Sequence, residues 1–180
     1  MSAEEGTGTK DETYWKVLRS AIDLDFRKGH LKWTISDLSR SSKITRSLIY
    51  YYFGRSREQI LYDAVRYVGE ELFGFTEMRL ALWQEGKLEE SIQSSRQTIK
   101  EHPALLAFYF SHRFRETPLG EEIRKLERRY FQKMKRFFPK ANSMEHELLN
   151  ALIIGLTLTP GLAPESIGLA LSKIATFRSL

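Results

Sequence analysis

The sequence predicts an all-α fold of about nine helices, with a three-helix helix–turn–helix head ahead of a C-terminal helical body. Three observations carry this. Apolar residues recur at three- and four-residue spacing along the chain, and no alternating apolar–polar stretch is long enough for a strand. Capping residues, glycines and prolines punctuate the periodic segments where helices should start and stop. The composition, 42% hydrophobic and 28% charged over 180 residues, suits a globular chain with a real core and excludes a fibre or a disordered polymer.

The first expected helix runs from Tyr14 to Lys28, with Val17, Leu18, Ala21, Ile22 and Leu24 on or near one face, and Gly29 ends it. Residues 1–12 are polar, have no apolar core of a secretory signal, and read as a disordered tail. Thr34 opens a short second helix, because its hydroxyl accepts from the backbone at Asp37 and that carboxylate favours a first turn. Thr45 caps a third, TRSLIYYYF. Ser56 and Gln59 suit a capping box for a long fourth helix, striped by Leu61, Ala64, Val65, Val68, Leu72 and Phe75. Leu88, Ile92 and Ile99 mark a fifth. Pro103 and Pro118 suit first turns of the next two, the second running to Phe138. Asn142 and Glu145 open the eighth, which ends near Leu158, and Pro164 starts the last, to about Phe177. The expected domains are a head over 13–66 and a body over 67–180.

Charge and residue usage narrow the function. The net charge is +5, and residues 13–65 hold ten Lys/Arg against five Asp/Glu, so the basic excess is densest in the head. That is the footprint of a polyanion-binding surface, or simply of a solvated basic one. There is no cysteine, which excludes disulfides, thiol nucleophiles and thiolate metal sites. His30, His102, His112 and His146 are scattered without metal-ligand spacing, and no glycine-rich loop cradles a phosphate. We expect no enzyme, no metal and no cofactor. The most apolar stretch, 148–163, is shorter than the ~20 residues of a spanning helix and is broken by Asn150 and Pro160. A cytoplasmic protein with no membrane partner is expected.

The segment 34–53 has helix–turn–helix spacing. On a helix from Thr45, Ile49 and Phe53 point one way, and Arg46, Ser47, Tyr50 and Tyr51 the other. Arginine pairs bidentately with guanine, hydroxyls and phenols bond phosphate oxygens, and rings pack on thymine methyls. Successive helical residues diverge by ~100°, so Tyr50, Tyr51 and Tyr52 cannot all be core.

The run TISDLSRSSKITRSLIYYYFGRSREQILYDAV resembles the DNA-binding segment of the TetR family of bacterial repressors. The family's second-helix pattern is met at Thr34, Ile35, Asp37 and Leu38, and its recognition-helix pattern at Thr45, Arg46, Ser47, Ile49, Tyr50 and Phe53. Its Ser-Lys-Glu start of helix four is matched by Ser56, Arg57 and Glu58. The likeness covers about residues 14–66. The chain departs from the pattern in four places. Lys43 stands where the turn usually has glycine, and Asp25 where helix one usually has an aromatic. Leu48 replaces a small or hydroxylated residue, and Arg55 reads as an insertion.

The resemblance implies a homodimeric transcriptional regulator that grips a pseudo-palindromic operator in double-stranded DNA through Thr34, Thr45, Arg46, Ser47, Tyr50, Tyr51 and Arg57. It also implies a body that dimerises and senses a small-molecule effector, so that the effector releases the repressor from DNA. The alternative is a helical ligand- or protein-binding dimer without specific DNA recognition. Residues 148–158 are apolar around the whole helix, which suits burial on one side by the body and on the other by a second copy. Leu149, Ile153 and Leu156, with Ile167, Leu171 and Ile174 of the last helix, are the expected dimer seam. Phe108, Phe110, Phe114, Tyr130 and Met134 are the expected wall of an apolar effector pocket, with plain core as the other reading. The run 124–140 holds eight Lys/Arg against Glu127 alone, on a helix whose other face is apolar.

Overall fold

The computed structural model describes residues 5–29, 31–159 and 161–179, with side chains from Glu12 onward except those of residues 164 and 175–179. Residues 1–4 of the expected tail, His30 and the helix-breaking Pro160 lie outside the described residues. Ten helices follow one another among those described: α1 (Glu5–Lys28), α2 (Ile35–Ser42), α3 (Arg46–Phe53), α4 (Arg57–Leu72), α5 (Glu77–Gln84), α6 (Leu88–Glu101), α7 (Ala104–Arg113), α8 (Pro118–Phe137), α9 (Ser143–Leu158) and α10 (Pro164–Ser179). No strand occurs among the described residues. None of their helices is long and apolar enough to cross a membrane.

Two elements differ from expectation. The chain is already helical at Glu5, so the segment read as a disordered tail extends α1 by more than two turns. Its Gly6 and Gly8 weaken helix propensity by about 1 kcal/mol each relative to alanine, which is why the pattern gave no sign of a helix there. The second difference is α5, which apolar spacing did not mark. Its buried residues are Arg79 and Trp83, so a guanidinium occupies an inward position that would otherwise show as periodicity. Its start was written in the sequence all the same: Thr76 Oγ1 accepts from the Arg79 backbone N–H.

The chain forms two compact units. The first comprises residues 1–68 and 104–123, the second residues 69–103 and 124–180. The division drawn at 66 therefore omits a piece: α7 and the first turns of α8 belong with the head. In the first unit, α1 packs on both α2 and α7. Its core includes Val17, Leu18, Ile22, Leu38, Ile49, Ile60, Leu105 and Phe108, all essentially solvent-free. The α7–α8 connection is tight enough to require glycine, since a Cβ on Gly120 would lie 2.7 Å from the His112 carbonyl oxygen and closer still to that of Arg115.

In the second unit, α6 packs on α5 and α9, and α9 on α10. Buried arginines close two helix ends here. Arg79 donates to the carbonyls of Glu71 (2.7 Å) and Ser91 (2.5 Å) and to the Ser95 hydroxyl, satisfying the end of α4. Arg96 donates to the carbonyls of Leu156 in the last turn of α9 and of Thr159 and Leu162 just beyond it, at 2.6, 2.6 and 2.9 Å. Terminal helix carbonyls lack intrahelical partners, and a guanidinium with five donors meets several at once.

Candidate nucleic-acid interface

The reading unit is built from its turn outward. Thr34 and Asp37 form a full capping box: Thr34 Oγ1 accepts from Asp37 N (3.2 Å) and Asp37 Oδ2 from Thr34 N (2.9 Å). Asp37 also accepts from Lys28 Nζ (2.9 Å) and Arg40 Nη2 (2.7 Å), which ties the start of α2 to the end of α1. The Lys28 and Thr34 hydrogen bonds hold its carboxyl well below the usual carboxylate range.

After α2 the chain turns at Lys43, which sits in the left-handed region at φ 57°, ψ 28°. Lysine therefore adopts the conformation for which glycine is the usual residue, at a cost of about 1 kcal/mol. Side chains brace the turn: Ser39 Oγ donates to the Ile44 carbonyl and Ser42 Oγ to that of Leu38, each at 2.7 Å. Thr45 then caps α3, accepting from Leu48 N at 3.3 Å.

On α3 the two faces separate as the spacing demands. Ile49 and Phe53 are buried, and Tyr14 stacks on Phe53 at 4.7 Å. Arg46, Ser47 and Leu48 face solvent, Tyr51 is 74% exposed, and Tyr50 and Tyr52 are half-buried. None of the three tyrosines is core. Thr34 and Thr45 are exposed at the two caps, so six of the seven residues expected to touch DNA are accessible on the unit.

Arg57 is the exception and a correction. Its Nη2 bonds Asp25 Oδ1 at 2.6 Å, its guanidinium lies 5.1 Å over the Trp33 ring, and its side chain is mostly buried. Asp25 explains why. It stands on α1 where the resembling family has an aromatic, it is buried, and it must be paired. Besides Arg57 it accepts from Trp33 Nε1 at 3.2 Å and from His112 Nε2 at 2.7 Å. Burial pushes its carboxyl up, but the His112 hydrogen bond and charge, the Arg57 charge and the Trp33 bond together hold it below the ordinary value. Phe26 beside it is exposed. An exposed cation that sequence reasoning did not single out for the interface is Arg55, after α3 with its guanidinium 5.2 Å over the Tyr50 ring. Its signal was present: an extra basic residue directly behind the recognition helix.

The expected effector wall does not come together as one surface. Phe108 is buried against His112 in the first unit, at 4.7 Å between ring centroids, while Phe110 and Phe114 face solvent. Tyr130 and Met134 belong to the second unit and pack with Phe73, Phe75 and Trp83 around a gap of only about 10 Å³. Burial pushes the Tyr130 phenol far above its usual range. The expected dimer seam is corrected too. Leu149, Ile153, Leu156, Ile167 and Ile174 are all buried within the single chain, because this face of α9 packs on α6 and α10. Leu171 is half-buried and, with Ile174, Trp83, Leu88 and Phe138, lines a cavity of about 170 Å³. The apolar side chains left open are Met144 (80% exposed) and Leu148 (50%) on α9 and Leu169 (65%) on α10.

Comparison with family models and with curated protein sequences gives no match. Among solved structures the chain is similar to HlyIIR, a hemolysin II transcriptional regulator, at 16% identity and a TM-score of 0.57, over 93% of this chain and 97% of that one. It is similar to PfmR, a TetR family transcriptional regulator from Thermus thermophilus, at 16% identity and a TM-score of 0.55, over 90% and 93%. It is also similar to NalD, the secondary repressor of the MexAB-OprM multidrug efflux pump in Pseudomonas aeruginosa, at 17% identity and a TM-score of 0.56, over 94% and 96%. What is shared at this identity is the fold, along nearly the whole length of each chain.

Proposed function

We propose that this chain is a sequence-specific DNA-binding transcriptional regulator acting as a homodimer on a pseudo-palindromic operator, and that it is a repressor released by a small-molecule effector. The observation that carries the reading is the α2–turn–α3 unit. Its core face is buried at Leu38, Ile49 and Phe53, while its opposite face presents Arg46, Ser47 and Tyr51 beside the exposed cations Arg40, Lys43 and Arg55. Such a face supplies a base-reading arginine, hydroxyls for phosphate oxygens and a positive field. The regulators that share the fold support it, and the repressor description of NalD supports the sign of the regulation. A DNA-free helical dimer was favoured by Lys43, Leu48 and Arg55 as departures. Lys43 keeps the left-handed turn, and Arg55 adds a cation rather than removing one.

Arg46 is the base reader, Thr34, Thr45, Ser47, Tyr50 and Arg55 hold phosphates, and Tyr51 packs in the groove. Two copies meet through the open side of α9 and α10, and the 170 Å³ cavity beside Trp83 is the apolar effector site in the second unit. Selecting bound duplexes from a random pool tests the reading. Recovery of one inverted repeat with half-sites about one helical turn apart, ~34 Å, supports it. Recovery of unrelated sequences, or of none, overturns it.

A further inference from the structure

The first unit holds a second cavity, of about 370 Å³, against the Asp25 cluster. That lies within the roughly 300–1,000 Å³ span of small-molecule sites. Its walls come from the end of α1 and the start of α4, and from the end of α7 and the start of α8. One part of the lining is apolar, from Leu61, Tyr62 and Leu119, and another is cationic, from Lys32, Arg57 and Arg115.

Two carboxylates also reach the wall, and both are already engaged. Asp25 accepts from Arg57, His112 and Trp33. Glu58 accepts from its own backbone N–H and from the Ser56 hydroxyl at 3.2 Å, and its charge also faces Arg57 and Lys32. Arg57 spends Nη2 on Asp25, but its Nε is buried with no hydrogen-bond partner. A cavity that pairs cations with an apolar surface matches a ligand of one kind: an anion with an apolar part.

We propose that this cavity binds a small amphipathic carboxylate, its head group held by Arg57, Lys32 and Arg115 and its ring or chain laid on Leu61, Tyr62 and Leu119. The site is separate from the apolar cavity of the second unit and does not depend on the chain binding DNA.

Calorimetric titration of the full chain with benzoate tests this, with benzyl alcohol and benzylamine as neutral and cationic counterparts of similar shape. Benzoate should saturate a single site at least about tenfold more tightly than either counterpart, as expected when charge-assisted bonds fix the head group. The double change Lys32→Gln and Arg115→Gln alters only exposed side chains. It should weaken benzoate about tenfold while the chain keeps a cooperative thermal melt. Leu119→Trp, which fills the apolar end, should remove the saturable heat. Absence of saturable heat with both benzoate and octanoate overturns the proposal. So does equal affinity for benzyl alcohol, and so does unchanged benzoate affinity in the double variant.

Discussion

Position 25 carries a charge where the surrounding face of α1 is otherwise packed with Ala21, Ile22 and Leu24. A lone buried carboxylate would cost several kcal/mol, so the cluster holds only as a set. Removing one member of such a set costs about 3–5 kcal/mol, because the partners keep their charge and lose its compensation. Asp25→Ala should therefore lower the melting temperature sharply at neutral pH, and Asp25→Asn, which keeps an acceptor for Trp33, by less. The sign of the pH dependence follows from the depressed carboxyl. Its contribution is complete above the unfolded aspartate value of about 3.9 and is lost as pH falls through the lower folded value. Thermal melts from pH 7 down to 3 should converge for wild type and Asp25→Asn at the acid end. Parallel curves would mean that folding leaves the Asp25 carboxyl unshifted, and a wild type that gains on Asp25→Asn as pH falls would mean that the carboxyl is protonated in the folded chain. At the same scale, Arg46→Ala should cost ~1–3 kcal/mol on the operator and relax preference at one position per half-site. A uniform loss on all sequences would make Arg46 a phosphate contact instead.

The α2–turn–α3 element was legible because each part is local: caps at Thr34 and Thr45, and a 3.6-residue period that buries Ile49 and Phe53. What the sequence did not reveal depends on partners far along the chain. Arg57 matched a phosphate-contacting pattern, yet a carboxylate 32 residues upstream turns it inward. Likewise α5 stayed hidden because Arg79 fills an inward position, stabilised by backbone carbonyls that no residue pattern displays. The proposed exchange of Arg57 for Arg55 as a phosphate contact has a measurable consequence. If Arg55 neutralises one phosphate per copy, Arg55→Ala should make the log–log salt dependence of operator binding shallower by about two units per dimer. Arg57→Gln should leave that slope unchanged and lower the melting temperature. The reverse pattern would restore Arg57 to the interface.

At the scale of the whole molecule, recognition of an inverted repeat needs two reading units held at a fixed separation, so everything turns on which face of α9 and α10 meets the second copy. The all-round apolar character of 148–158 suggests burial on two sides, and the chain's own packing accounts for one of them. Leu149, Ile153 and Leu156 fall at i, i+4, i+7 and are consumed by the chain's own core. Met144, Leu148, Ala151 and Gly155 repeat the same spacing one face around and remain open, as do Gly168 and Leu169 on α10. A Cβ at Gly155 or Gly168 would meet nothing within 4 Å, so neither glycine is needed by the chain's own packing. A two-fold contact repeats each substitution on both sides. Leu148→Asp and Leu169→Asp should therefore give folded monomers, with a melt close to wild type at low concentration. Their operator affinity should fall far more than their non-specific affinity. Ile153→Asp should behave differently, placing an unpaired carboxylate in the chain's own core and unfolding it at a cost on the order of several kcal/mol. Sedimentation and melting of the three variants separate the two faces. If Leu148→Asp and Leu169→Asp still sediment as dimers, the open side of these helices is not the seam, and the separation of the reading units is set elsewhere.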